Sequence, residues 1–100
     1  MNDVEKAKQL FIDGLNDIEN KQFKQAEKKF LKSLQLVPNR ESVLNNLSSV
    51  QMRLNKYEDA KKSVLQVVKL NPKNAVGWMN LALCEQALNN YGAALKGFNN

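Results

Sequence analysis

Cys84 is the only cysteine in this chain of 100 residues, and histidine is absent. A lone thiol can form neither an internal disulfide nor a thiolate metal cluster. Without imidazole the chain lacks the commonest general base, metal ligand and physiological pH switch. Cys84 lies among apolar neighbours with no histidine or lysine close in sequence to lower its pKa, so a buried small hydrophobe is expected rather than a nucleophile. Asp13, Asp17 and Glu19 come nearest to an acidic cluster, but their spacing is not that of a calcium loop, and they read as a solvated helix face. Asn46-Leu47-Ser48 matches a glycosylation sequon, yet it falls mid-helix in a chain whose first residues lack a secretory pattern. Nothing assembles a nucleophile, a base and an orienting group. Neither enzymatic activity, nor a metal, nor a cofactor is expected.

Charge is unevenly placed. The formal net charge is +5, but residues 1–20 carry −3 and residues 21–40 carry +5. Lys21, Lys24, Lys28, Lys29 and Lys32 could form a nucleic-acid footprint. Their helical spacing reads instead as a solvated face, and no Arg-rich run or stacking platform accompanies them, so no nucleic-acid partner is expected. No stretch reaches the ~18–20 apolar residues that cross a bilayer. A cytoplasmic protein without a membrane partner is expected.

Helices must position whatever these residues do. Val4, Ala7, Leu10, Phe11, Gly14, Leu15 and Ile18 recur at three- and four-residue intervals, which predicts an amphipathic helix over 4–18, with Asn2 and Asp3 where an N-cap belongs. Further helices are predicted from Phe23 to Leu36 and from Val43 to Leu54. Two more follow, from Tyr57 to Leu70 and from 74 to 89. Pro38 and Pro72 end the second and fourth, because proline lacks an N–H and clashes with the preceding turn. Asn55 and Asn89 suit the left-handed conformation of a tight helix-ending turn, and a sixth helix is expected to begin at Tyr91. No strand alternation is present.

The elements repeat. Phe23, Tyr57 and Tyr91 are 34 residues apart, as are Ala26, Ala60 and Ala94; Phe30, Val64 and Phe98 keep the same step, and so do Pro38 and Pro72. A fixed period marks a stack in which each unit buries its apolar face against its neighbours. Gly14, Ser48 and Ala82 on first helices, and the three alanines on second helices, permit close crossing opposite large residues such as Phe30, Trp78 and Phe98.

These residues resemble the tetratricopeptide repeat, a helix–turn–helix of the same period. Trp78, Leu81-Ala82, Tyr91, Ala94 and Phe98 match best. Leu44, Leu47-Ser48, Tyr57, Ala60 and Pro72 follow, then Leu10, Gly14, Phe23, Ala26, Phe30 and Pro38, with Asp13 departing from the usual leucine. The resemblance implies one all-α domain over 1–100, an α-solenoid of antiparallel helix pairs in a right-handed superhelix. Repeats are expected over about 7–40, 41–74 and 75–100, the last truncated in its second helix. An exposed edge at Leu95 and Phe98 reads as a piece of a longer array, or as a surface that pairs with another copy.

The resemblance also implies a concave groove lined by the first helices, which takes a protein or peptide ligand. Phe11, Leu15, Asn46, Met52, Met79, Asn80 and Leu83 are the residues expected to line it. Asn46 and Asn80 look like the asparagine ladder with which some members hold a peptide backbone, a primary amide being both donor and acceptor. They could equally fit their column and bond to water or a neighbouring helix. The methionines could line the groove adaptably or simply pack. A two-carboxylate clamp for a chaperone tail is not expected, because Phe11, Leu15, Val76 and Asn80 stand where it needs lysine, asparagine, lysine and arginine; only Asn46 agrees. The alternative function is self-association, a homodimer through the C-terminal edge.

Overall fold

Five α-helices make up the protein in a computed structural model that describes residues 2–99, with side chains described over 2–89. They are α1 (Asp3–Glu19), α2 (Phe23–Leu36), α3 (Glu41–Arg53), α4 (Tyr57–Leu70) and α5 (Ala75–Asn99). Asn2 caps α1, its side chain accepting from the Glu5 amide at 2.8 Å and donating to the Glu5 carboxylate at 3.1 Å. The first bond satisfies one of the backbone donors a helix start leaves orphaned, and the second ties the two side chains together.

α1/α2 and α3/α4 are antiparallel pairs closed by the same turn. In the first, Lys21 adopts φ 59° and the amide of Gln22 donates to the Asp17 carbonyl at 2.7 Å. In the second, Asn55 adopts φ 62° and the amide of Lys56 donates to the Gln51 carbonyl at 2.8 Å. This left-handed cap recaptures carbonyls that the helix end would strand. Asparagine holds it at 55 as expected, whereas lysine holds it at 21.

Two apolar clusters fill the stack. Ala26, Phe30, Val43, Leu47 and Val50 form the first, flanked by Phe11, Leu15, Ile18, Phe23, Leu34 and Leu54. Ala60, Val64, Val68, Leu81 and Cys84 form the second, flanked by Met52. The small residues act as expected here. A Cβ on Gly14 would stand 2.5 Å from Cε1 of Phe30, and Ser48 is fully buried with its Oγ donating to the Ala60 carbonyl at 3.0 Å.

The third unit departs from expectation. α5 runs unbroken to Asn99, so no turn forms at 89–90 and no separate helix begins at Tyr91. A helix that continues keeps every i→i−4 bond, whereas a turn gives up several and places a residue in the costly left-handed region. The gain must come from packing of the returning helix, as α2 and α4 show. Trp78 is consequently 49% exposed rather than sandwiched, held by a 2.6 Å bond from its Nε1 to the Pro72 carbonyl, and Ala82 is exposed beside it. The expected roles of the side chains of Leu95 and Phe98 lie outside the described residues. Among the described residues, no helix is long and apolar enough to cross a membrane.

Candidate functional site

α1, α3 and α5 are the first helices of their units, and α3 meets α5 directly where Ser48 lies 3.9 Å from the Cys84 sulfur. Gly77 allows the close approach of α4, since a Cβ there would stand 2.8 Å from Val67. α5 is started by Asn74, whose Oδ1 accepts from the Gly77 amide at 2.8 Å and whose Nδ2 donates to Glu41 at 2.9 Å. Asn71 gives Glu41 a second donor at 2.9 Å. The two amides, Asn74 first, hold the Glu41 carboxyl below its ordinary value of 4.5, because both bonds favour the ionised form.

The candidate groove residues separate by exposure. Phe11 and Leu15 are half-buried against the first cluster, the Phe11 ring 5.8 Å from that of Phe30. Met52 is half-buried against the second. Asn46 is half-buried and donates to the Ser42 carbonyl of its own helix at 2.8 Å. Asn80 is only 8% exposed, facing inward with its Nδ2 unpartnered. The two asparagines therefore do not form an open ladder. Met79 and Leu83 are 57% and 47% exposed, one helical turn apart, and exposed Val76 continues their stripe. Near its start lies an open cleft of ≈ 690 Å³ lined by residues that include Arg40, Ser42, Asn45, Asn46 and Val76.

Of the acidic cluster on α1, Asp13 and Asp17 are tied down while Glu19 is exposed. Asp17 pairs with Lys29 of α2 at 2.6 Å, and Asp13 accepts from Gln9 at 2.9 Å. That bond also removes Lys29 from the lysine cluster, while Lys21, Lys24, Lys28 and Lys32 remain exposed. Cys84 is buried, and burial pushes its thiol pKa up, which agrees with a packing role.

Sequence reasoning missed a polar network across the first two units. Buried Glu27 accepts from Lys56 at 2.7 Å and from Gln51 at 3.2 Å, and Ser63 donates to Gln51 at 2.8 Å. The bond to Glu27, aided by its charge, raises the Lys56 pKa above 10.5. Positions 34 and 68 residues on from Glu27 hold Lys61 and Leu95, so no periodic signal marked it.

Residues 41–74, which fold as α3, α4 and the links that flank them, match the profile of the family described as Tetratricopeptide repeat. The chain belongs to that family. It is 31% identical over 95 residues to Tetratricopeptide repeat protein 33 of Homo sapiens, an alignment taking in 95% of this chain but 36% of that protein. The chain thus spans little more than a third of that relative's length. The Arabidopsis OM64 TPR domain superposes with a TM-score of 0.85 at 15% identity, covering 98% of this chain and 81% of its own. The yeast Sti1 TPR2B domain, solved in a complex with pHsp70, gives 0.81 at 16% identity, with coverages of 92% and 74%. At those identities the likeness is one of fold, an all-α helical-repeat solenoid. The tetratricopeptide repeats support a protein-interaction scaffold.

Proposed function

We propose that this tetratricopeptide-repeat chain binds a peptide segment of another protein along its first helices and performs no chemistry on it. The observation that carries the reading is the exposed stripe Val76, Met79 and Leu83, continuous with the cleft beside Asn46. Apolar side chains at helical spacing anchor a guest by burial, and a nearby amide can pair with its main chain. Asn46 is the amide that can do so, by exchanging its bond to Ser42 for one to the guest. Asn80 is nearly buried and is not offered to the guest.

The Sti1 domain, solved with pHsp70, supports a guest of peptide type for this fold. A two-carboxylate clamp is not the mode of binding here, because Phe11, Leu15 and Val76 stand at its positions and offer no cation. An apolar segment fits better.

Peptides selected from a displayed random library provide the test. The double substitution Met79→Ser with Leu83→Ser is expected to weaken a selected peptide by about tenfold or more. Leu31→Ser, at an exposed position on the outer face of α2, is expected to leave affinity unchanged. Undiminished binding by the double variant would remove the groove from the account.

A further inference from the structure

Two acceptors on the wall of the cleft beside Val76 are left unused. Glu41 and Asn45 both line that cleft. They are four residues apart on α3, and so lie one turn apart on one face of the helix. Gly77 decides how the side chains around them are oriented. Its amide needs an oxygen, so the Asn74 atom 2.8 Å away is Oδ1, and Asn74 Nδ2 is left to donate to Glu41 at 2.9 Å. Asn45 meets that same Oδ1 at 3.3 Å and must therefore present its Nδ2 to it. The Asn45 Oδ1 then has no partner, on a side chain only 9% exposed. An acceptor shut away without a donor is costly, and a guest that supplies one recovers that cost.

Glu41 is left half-used in a similar way. Asn71 and Asn74 both donate to its Oε1, each at 2.9 Å. Among the described residues, Oε2 takes no hydrogen bond and no ion pair. The two amides also favour the ionised carboxylate. Arg40 is the cation that lines the cleft, and it does not pair with Glu41.

Two free oxygens a turn apart, one of them charged, call for a cationic donor. A guanidinium binds best with its fork across both oxygens of one carboxylate, and Oε1 is already occupied twice. An ammonium is a compact charge with three donors, which suits acceptors on separate side chains. We infer that the cleft takes a primary ammonium of the guest, from a lysine side chain or a free N-terminus, on Glu41 and Asn45. This rests on the peptide-binding reading of the stripe, whose Val76 lines the same cleft. Asn46 remains available for the guest's main chain.

Peptides selected on the whole chain from a displayed random library supply the probes. Each is synthesised with its N-terminus free or acetylated, and with lysine or its uncharged isostere norleucine. Removing the ammonium is expected to weaken binding to the parent chain by about tenfold, and to Glu41→Gln by less than about threefold. The glutamine can still accept from Asn71 and Asn74, but it turns a donor toward the ammonium. Whichever change produces the loss identifies the source, lysine or N-terminus. Arg40→Gln should tighten the same peptide by about twofold or more, because a like charge is removed. Selected peptides that lose nothing with their ammonium would overturn the inference, and that arm needs no protein variant. An equal loss in parent and Glu41→Gln, or weaker binding to Arg40→Gln, would overturn it too. A peptide weakened by Met79→Ser with Leu83→Ser but indifferent to its ammonium keeps the groove and removes the ammonium site. Peptides indifferent to both remove both.

Discussion

The first two units and the third share one sequence period and reach different structures. At Lys21 and at Asn55 the chain takes a left-handed turn and sends a second helix of 14 residues back over the first. At Asn89, the same position one period later, it continues as helix. The turn residue alone does not decide between these outcomes, since lysine turns at 21 and asparagine does not at 89. A left-handed residue costs ~1–2 kcal/mol, and it forms where the returning helix has an apolar cluster to complete. Phe30 completes one and Val64 the other.

The largest expected effect is in the core that rewards the first turn. Phe30→Ala should destabilise by ~3–5 kcal/mol in denaturant unfolding. Trp78→Ala should cost far less because half the indole already faces water. Comparable losses at the two sites would erase the distinction between closed and open units.

Next comes the network that ties the closed units together. Glu27→Ala leaves Gln51 without its acceptor and Lys56 without its partner. With Lys56 half-exposed and screened, a loss of ~1–2 kcal/mol is expected in thermal or denaturant melts. A neutral result would mean that the bonds to Glu27 are exchanged for water without penalty.

The turn itself yields a paired measurement. Asn55→Ala should destabilise by ~1 kcal/mol, because alanine keeps the Cβ that crowds the backbone at φ 62° and lacks the local side-chain bonding by which asparagine tolerates the left-handed region. Asn89→Ala should be neutral or should stabilise by up to ~0.7 kcal/mol, alanine being the better helix former within α5. Equal penalties at 55 and 89 would indicate that both positions turn.

The smallest effect is on pH. Glu41 is held below 4.5 by Asn74 and Asn71, so its contribution is complete above that value and is lost as pH falls through its lower folded pKa. An acid titration of stability should show a shallower decline in Glu41→Gln than in the parent. Parallel curves would contradict the assignment.

Much of the fold was legible. The period located α2 and α4 from Phe23 to Leu36 and from Tyr57 to Leu70 because aromatic starts, alanine crossings and prolines recur together. Gly14 and Ser48 could be assigned to helix crossings from residue size alone. The continuity of α5 was not legible, since it depends on what the returning segment would bury, a property of the assembled stack rather than of Asn89. The Glu27 network was hidden because it occurs in one unit only. For the candidate groove, the resemblance named residues on α1, α3 and α5 but could not separate exposed Met79 and Leu83 from half-buried Phe11 and Leu15, or buried Asn80 from half-buried Asn46.

Spin labels at Met79→Cys and Asn99→Cys, with labelled chains diluted in unlabelled protein, test the straightness of α5 most directly. Twenty residues of continuous helix predict a separation of about 30 Å. A distance near 10 Å, the spacing of two packed helices, would contradict it and would mean that the third unit closes as the first two do.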